Sequence, residues 1–301
     1  MFSWFALLIF PGFLYAVPMG WLMLWLERKI LARLQSRIGP PFYQPFFDFI
    51  KLMSKEPFPR PRGEDLFYLV LPLLALGATL GSLTLLPIFA GSSAAVGDLV
   101  LFIALIEVAP ICLVLLGFLS RSIFGQVGAI REATLTIATN LPFITALIAL
   151  AYASGSLRLS EIAANAPSFV RLFALLALLF CLPIKLRLNP FSVANAEQEI
   201  YQGALTELDG WRLGLWELVH AVEWVALSGL IVCLVSPWRS GAAILDASLF
   251  ALLSLVLVVV LTAVAGATAR LKLLQASRLY WRWGFGLAIL ALVVSFFPFG
   301  G

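Results

Sequence analysis

Six of the 16 acidic residues in this 301-residue chain fall between Pro190 and Trp224: Glu197, Glu199, Glu207, Asp209, Glu217 and Glu223. The only histidine, His220, lies among them, and Glu107 stands apart in Leu105-Ile-Glu-Val-Ala-Pro110. Carboxyl and imidazole groups hold and pass protons or bind small cations. Glu217, His220 and Glu223 follow at i, i+3 and i+6, so on a helix each neighbouring pair is in contact range. On insertion scales, one ionisable residue at a bilayer centre costs about 2.5–3.5 kcal/mol. Glu107, Glu217, His220 and Glu223 together would cost on the order of 10 kcal/mol, the scale of a whole domain's net stability. They must therefore face a wet or protein-lined interior. Each also has a structural alternative. Glu107 can be a neutral acid bonded to backbone that Pro110 opens, and His220 a satisfied packing residue. Glu217 can sit high enough to be hydrated, Glu197 and Glu199 can be solvated loop residues, and Glu27 can pair with Arg28 at the membrane edge.

The surrounding chain supplies that interior. It is 62% hydrophobic and 12% charged, with a mean hydropathy of +1.01, whereas a soluble domain is about half apolar and a quarter charged. The reading is an all-α, polytopic membrane bundle forming one integral domain over residues 1–301. A net charge of +4 needs no nucleic acid, because basic residues mark cytoplasmic loops. Cys112, Cys181 and Cys233 each stand alone in apolar runs, without a Cys-x-x-Cys. With one histidine, the chain cannot by itself supply the ligands of an iron–sulfur, haem or zinc site. No cofactor or metal is expected on this chain. Met1-Phe-Ser-Trp-Phe5 lacks a basic n-region and a cleavage site, so the first apolar run reads as a retained span.

Eight segments are long enough to cross about 30 Å of hydrocarbon, near 3–26, 66–89, 97–119, 133–153, 168–186, 213–236, 244–265 and 281–298. Loops are expected at about 27–65, 120–132, 187–212 and 266–280. Placing these loops in the cytoplasm gathers every one of the 20 basic residues except Arg158, Arg171 and Arg239 on that side. The positive-inside bias then puts both termini outside. Within the first loop, Phe46, Phe49, Ile50 and Met53 share one helix face and Asp48, Lys51 and Lys55 the other. Pro45 can start this helix, and Pro57 ends it at Glu56. At about 18 Å it is too short to span and should lie in the interface with membrane lipid.

Several motifs join these features. Glu27-Arg-Lys-Ile-Leu-Ala-Arg-Leu-Gln-Ser-Arg-Ile-Gly-Pro40 with Asp48-Phe-Ile-Lys-Leu-Met-Ser-Lys-Glu56 resembles the first cytoplasmic loop of one family. It is the heel-like membrane subunit shared by respiratory complex I, where it forms the quinone site, and the energy-converting NiFe hydrogenases, including formate hydrogenlyase. Gly128-Ala-Ile-Arg131, Pro190-Phe with Ala196-Glu-Gln-Glu-Ile200, Glu207-x-Asp-Gly-x-Arg212 and Arg270-x-Lys-x-x-Gln-x-x-Arg278 are similar to further elements of that family.

The resemblance implies a subunit that performs no redox chemistry itself. It would dock a hydrophilic arm holding a NiFe-type large subunit and an iron–sulfur small subunit, whose clusters and NiFe centre belong to those partners. It would pass the coupling sideways to antiporter-like membrane subunits in the cytoplasmic membrane. By matching position Glu197 and Glu199 would begin an acidic ion path; Glu107, Glu217, His220 and Glu223, singled out by their own burial, would continue it, and Glu132, Glu217 or Glu223 would substitute for the carboxylate missing at Asn140. Arg28, Arg33, Arg37, Asp48, Arg131, Glu207, Asp209 and Arg212 would line the mouth facing the arm. Departures favour the hydrogenase branch. Asn195 replaces a loop glutamate, Thr139-Asn-Leu-Pro142 stands where the quinone branch has Tyr-Glu-Leu-Pro, and His220 and Leu274 align with acidic residues. The alternatives are a quinone-site subunit and a stand-alone ion carrier; protons and sodium both remain open as the ion.

Overall fold

The computed structural model describes residues 4–59, 62–88, 98–193, 203–236 and 242–297. Glu197, Glu199 and Asn195 lie outside the described residues. Among those described, all regular structure is helical. Seven helices are long and apolar enough to cross a membrane, and the chain is a multi-pass membrane protein.

The first span, Ala6–Leu34, consists of α1 (Trp4–Leu8) and α2 (Phe13–Leu34), interrupted near Pro11, which has no N–H to give a helix. Helix α2 runs eight residues past the expected span end. Glu27, Arg28, Lys29 and Arg33 are therefore helical, not loop residues, because Ile30-Leu-Ala-Arg33 are able helix formers and nothing stops them before Ser36. The chain then doubles back: Trp25 Nε1 and Lys29 Nζ donate to the Pro40 carbonyl at 3.2 and 3.4 Å. Helix α3 (Gln44–Met53) carries Pro in its first turn and ends three residues before expected. At 10 residues it is about 15 Å long. It packs on α2 through Phe46 and Phe49, both 5.5 Å from the Trp21 ring, yet leaves Phe46, Phe47, Ile50 and Met53 exposed. A helix with that outward apolar face suits a membrane interface.

Helix α4 spans Arg62–Thr84. The third expected span is two helices, α5 (Asp98–Ile106) and α6 (Val108–Leu119), broken at Glu107. Pro110 has no N–H for the Ile106 carbonyl, so the ladder opens at that point. Helix α7 (Ile123–Ser154) starts ten residues before the expected span. No proline interrupts it until Pro142, and the expected loop 120–132 shrinks to three residues. Short α8 (Leu159–Asn165) leads to α9 (Ser168–Lys185). A 3₁₀ turn at Gly203–Leu205 precedes α10 (Gly210–Val235), followed by α11 (Ala243–Ala267). The eighth expected span begins inside a π turn, Tyr280–Gly284, between α12 (Leu273–Leu279) and α13 (Phe285–Ser295). There Tyr280 is fully buried against Phe180 and Phe191.

Helix α10 is the hub. Buried residues make up 89% of its most apolar window, against 33–50% in the other spanning helices. It packs against α2, α3, α4, α9 and α11. A Cβ on Gly20 of α2 would stand 2.3 Å from the Ala221 carbonyl, so glycine lets α2 reach α10 beside His220. Gly210 has φ +51, and a Cβ there would meet the Lys55 carbonyl at 2.7 Å. Only glycine both takes that left-handed conformation readily and admits the end of the α3 loop.

Candidate functional site

Among the described residues, two charged clusters gather around the C-terminal end of α9. Helix α9 ends at Lys185, and the chain turns sharply at Arg187, whose φ of +56 is left-handed. That conformation costs a non-glycine residue on the order of 1–3 kcal/mol. The turn is closed by Arg187 N–H donating to Ile184 O at 2.9 Å and Leu188 N–H to Pro183 O at 2.7 Å. It sends the Arg187 guanidinium inward, where Nε donates to Glu132 of α7 at 3.0 Å and Nη1 to Glu223 of α10 at 2.9 Å. Burial opposes the charge on Arg187, but the two carboxylates outweigh it and push the arginine pKa above its ordinary value.

His220 completes this cluster. Its Nδ1 stands 3.2 Å from Arg187 Nη1 and 3.5 Å from Glu223 Oε2, and Trp224 Nε1 donates to its Nε2 at 3.3 Å. Indole and guanidinium N–H groups only donate, so His220 has a donor facing each ring nitrogen, and a neutral imidazole, with one lone pair, accepts from one of them at a time.

The second cluster joins three helices. Lys185 Nζ donates to Glu107 and, at 2.9 Å, to Asn140 Oδ1, while Asn140 Nδ2 donates to Glu107 Oε2 at 2.8 Å. The ammonium also lies 4.4 Å from the centre of the Phe143 ring. Lys185 and Glu107 side chains are only 8% and 11% exposed, so each charge depends on the other.

Cavities connect these groups to the loop helix. One of about 270 Å³ lies between α2, α3 and α10, lined by Trp21, Leu24, Arg28, Asp48, Phe49, Lys51, Leu52, Lys55 and Glu217. A second, about 280 Å³, shares Leu24, Arg28 and Glu217 with it and adds Glu27, Arg187, His220 and Glu223. A third, about 20 Å³, shares Glu223 and reaches Glu132 and Lys185. Polar groups thus follow one another from α3 to the partner of Glu107.

Of the expected path residues, Glu107, Glu132, Glu217, His220 and Glu223 are brought onto this line. Arg28 and Asp48 pair at 3.3 Å at its outer end, and Arg33 and Arg37 are exposed beyond it. Arg28 therefore takes Asp48 and not its neighbour Glu27, which faces the second cavity. Arg131 is half-buried and donates to the Val193 carbonyl at 3.4 Å, and Glu207 is half-buried. Arg212 and Asp209, expected at a docking face, are turned inward. Arg212 is 2% exposed and bonds Asp65, Asp209 at 3.1 Å and the Phe58 carbonyl at 3.2 Å. Asp209 also accepts from Phe58 N–H. The pair clamps the end of the first loop to the start of α10, since a buried guanidinium needs several acceptors at once. Sequence reasoning passed over Lys185 and Arg187 as partners of these carboxylates. The signal was Ile184-Lys-Leu-Arg-Leu188, two cations flanked by apolar residues on both sides.

The sequence matches the family described as NADH dehydrogenase across residues 6–296. Hydrogenase-4 component C of Escherichia coli (strain K12) is 33% identical over 282 residues, covering 89% of each chain. Formate hydrogenlyase subunit 4 of the same organism is 29% identical over 282 residues, 89% of this chain and 91% of that one. The H-type subunit of NADH-quinone oxidoreductase from Dehalococcoides mccartyi is 28% identical over 289 residues, 92% of this chain and 81% of that one. Among solved structures, an archaeal respiratory membrane complex, the membrane-bound sulfane sulfur reductase, contains a chain with TM-score 0.84 at 25% identity, covering 94% of this chain and 96% of that one.

Proposed function

The chain belongs to the NADH dehydrogenase family, and from that premise we propose that it is the ion-translocating membrane-arm subunit of an energy-converting hydrogenase-type complex. Its relatives are subunits of multisubunit oxidoreductases. The observation that carries the reading is the succession of three cavities that share lining residues, from α3 past Glu217, His220 and Glu223 to Lys185, the ion partner of Glu107. Ionisable groups inside a membrane bundle are costly and by default mark an ion or substrate path.

In this reading the redox centres belong to a docked hydrophilic arm with a NiFe-type large subunit and an iron–sulfur small subunit. Cys112, Cys181 and Cys233 sit singly on α6, α9 and α10. Antiporter-like subunits adjoin the bundle in the cytoplasmic membrane, and both termini face outward. The mouth is the α2–α3 cavity with Arg28 and Asp48. Glu197 and Glu199 stand at the entrance on the grounds of motif alone. Protons or sodium travel by exchange between neighbouring carboxylates and His220, with Arg187 holding Glu132 and Glu223 in place and Lys185 balancing Glu107. The hydrogenase branch is supported by Asn140, which replaces a carboxylate of the quinone branch and here serves as the amide linking Glu107 to Lys185.

One observation favours a second reading, a quinone-site subunit. The α2–α3 cavity has apolar walls from Trp21, Leu24, Phe49 and Leu52 beside Arg28, Asp48 and Glu217, a lining that suits an apolar ring bearing polar oxygens. The test is the complex purified through a tag on this chain and reconstituted in liposomes. Hydrogen evolution with ion uptake supports the hydrogenase reading. Quinone reduction that is lost in Arg28→Met replaces it with the second.

A further inference from the structure

The two charged clusters do not touch, and between them lies the cavity of about 20 Å³ lined by Glu132, Glu223, Thr136 and Lys185, room for about one water molecule. Their make-up differs. Glu107 and Lys185 pair one to one, whereas two carboxylates, Glu132 and Glu223, share the single guanidinium of Arg187. Arg187 is fixed by its fork between two carboxylates. Lys185 instead presents a point charge on a flexible four-carbon stem, held on one side of a cavity whose far wall is anionic.

We propose that Lys185 is a switching cation, resting on Glu107 while that residue is ionised and crossing to Glu132 and Glu223 when Glu107 takes a proton. The inference rests on the reading that this line of groups carries ions. A proton arriving on Glu107 removes the charge that holds the ammonium, and the two carboxylates that share one arginine then lie across the cavity. No group is left unsatisfied. Asn140 Oδ1, released by Lys185 Nζ, accepts the new Glu107 O–H, and Nδ2 continues to donate to the other carboxyl oxygen. The only particle gained is the proton on Glu107, and the only charge that moves is the ammonium, so protonation at one cluster is felt at the other. Lys185 thereby acts as a positioning residue for the Arg187 cluster.

Two measurements on the assembled complex test this. In Glu107→Gln the carboxylate is permanently neutral, and a structure of the variant complex is expected to show the Lys185 ammonium within hydrogen-bond distance of Glu132 or Glu223. An ammonium still on Asn140 and residue 107 overturns the proposal. In Glu107→Gln with Lys185→Gln all three polar residues keep amide hydrogen bonds without charge, so the bundle retains its packing. Ions moved per electron are expected to fall at least tenfold; a ratio equal to that of the wild-type complex shows Lys185 to be a counter-ion only. If the wild-type complex itself moves no ions, the functional reading fails, while the Glu107→Gln structure still decides whether Lys185 moves.

Discussion

Arg187 Nη1 meets Glu223 Oε2 at 2.9 Å, tying a residue just past the end of α9 to the middle of the most buried helix in the bundle. With Glu132 on the other edge of the same guanidinium, three segments distant in sequence depend on one cation. Removing one member of a buried ion cluster costs about 3–5 kcal/mol, because the remaining charges are left uncompensated. Arg187→Met should lower the stability of the purified complex by that order, read as an earlier thermal unfolding transition. Adding Glu132→Gln and Glu223→Gln to it should restore most of the loss. A triple variant as unstable as the single one would show that Arg187 acts through packing alone.

Trp224 offers a reporter of His220. Its indole N–H lies 3.3 Å from Nε2, and His220→Phe removes that acceptor. The Trp224 emission should therefore shift in His220→Phe, and the difference spectrum between the two proteins isolates this tryptophan from the other eight. An unchanged emission would mean that the indole bond does not report on His220.

Gly20 sits against the Ala221 backbone with no room for a methyl group. Gly20→Ala should cost about 1–3 kcal/mol, as overpacking does, and displace α2 from α10 beside His220. Thermal unfolding of the complex checks the first effect, and altered Trp224 emission the second. Gly77, inside α4 where a Cβ meets nothing within 4 Å, supplies the control, since Gly77→Ala should leave Trp224 emission unchanged and should not lower the unfolding temperature.

Arg212 should tolerate no lysine. Its guanidinium serves Asp65, Asp209 and the Phe58 carbonyl together, and an ammonium cannot reproduce that fork. Each lost hydrogen bond to a charged group is worth roughly 1.5–3 kcal/mol. Arg212→Lys should therefore loosen the stretch between α3 and α4, seen as faster proteolysis there. Unchanged cleavage would return Arg212 to the open face that its motif suggested.

The sequence displayed the bundle because lipid imposes it: long apolar runs, basic loops and the short amphipathic α3 all follow from the solvent around each segment. Glu107, His220 and Glu223 stood out because charge in an apolar run is costly. Lys185 and Arg187 did not, because a cation at the end of an apolar run has the same pattern whether it faces cytoplasm or turns inward. The left-handed turn at Arg187, which decides between them, carries no glycine to announce it. Asp209 and Arg212 likewise looked like surface charges, since the chain that buries them, around Phe58 and Asp65, lies about 150 residues away. The break at Glu107 was half legible: Pro110 marked an opening, but nothing local showed that Lys185 and Asn140 would fill it.

The central claim is that Glu223 lies on the route by which electron transfer is coupled to ion movement. The most direct measurement is the number of ions taken up per electron by liposomes holding the complex, compared between wild type and Glu223→Gln. The amide keeps the size of the side chain and a hydrogen bond to Arg187 while removing the charge. A ratio reduced at least tenfold is the result this account predicts, and a ratio equal to wild type would contradict it.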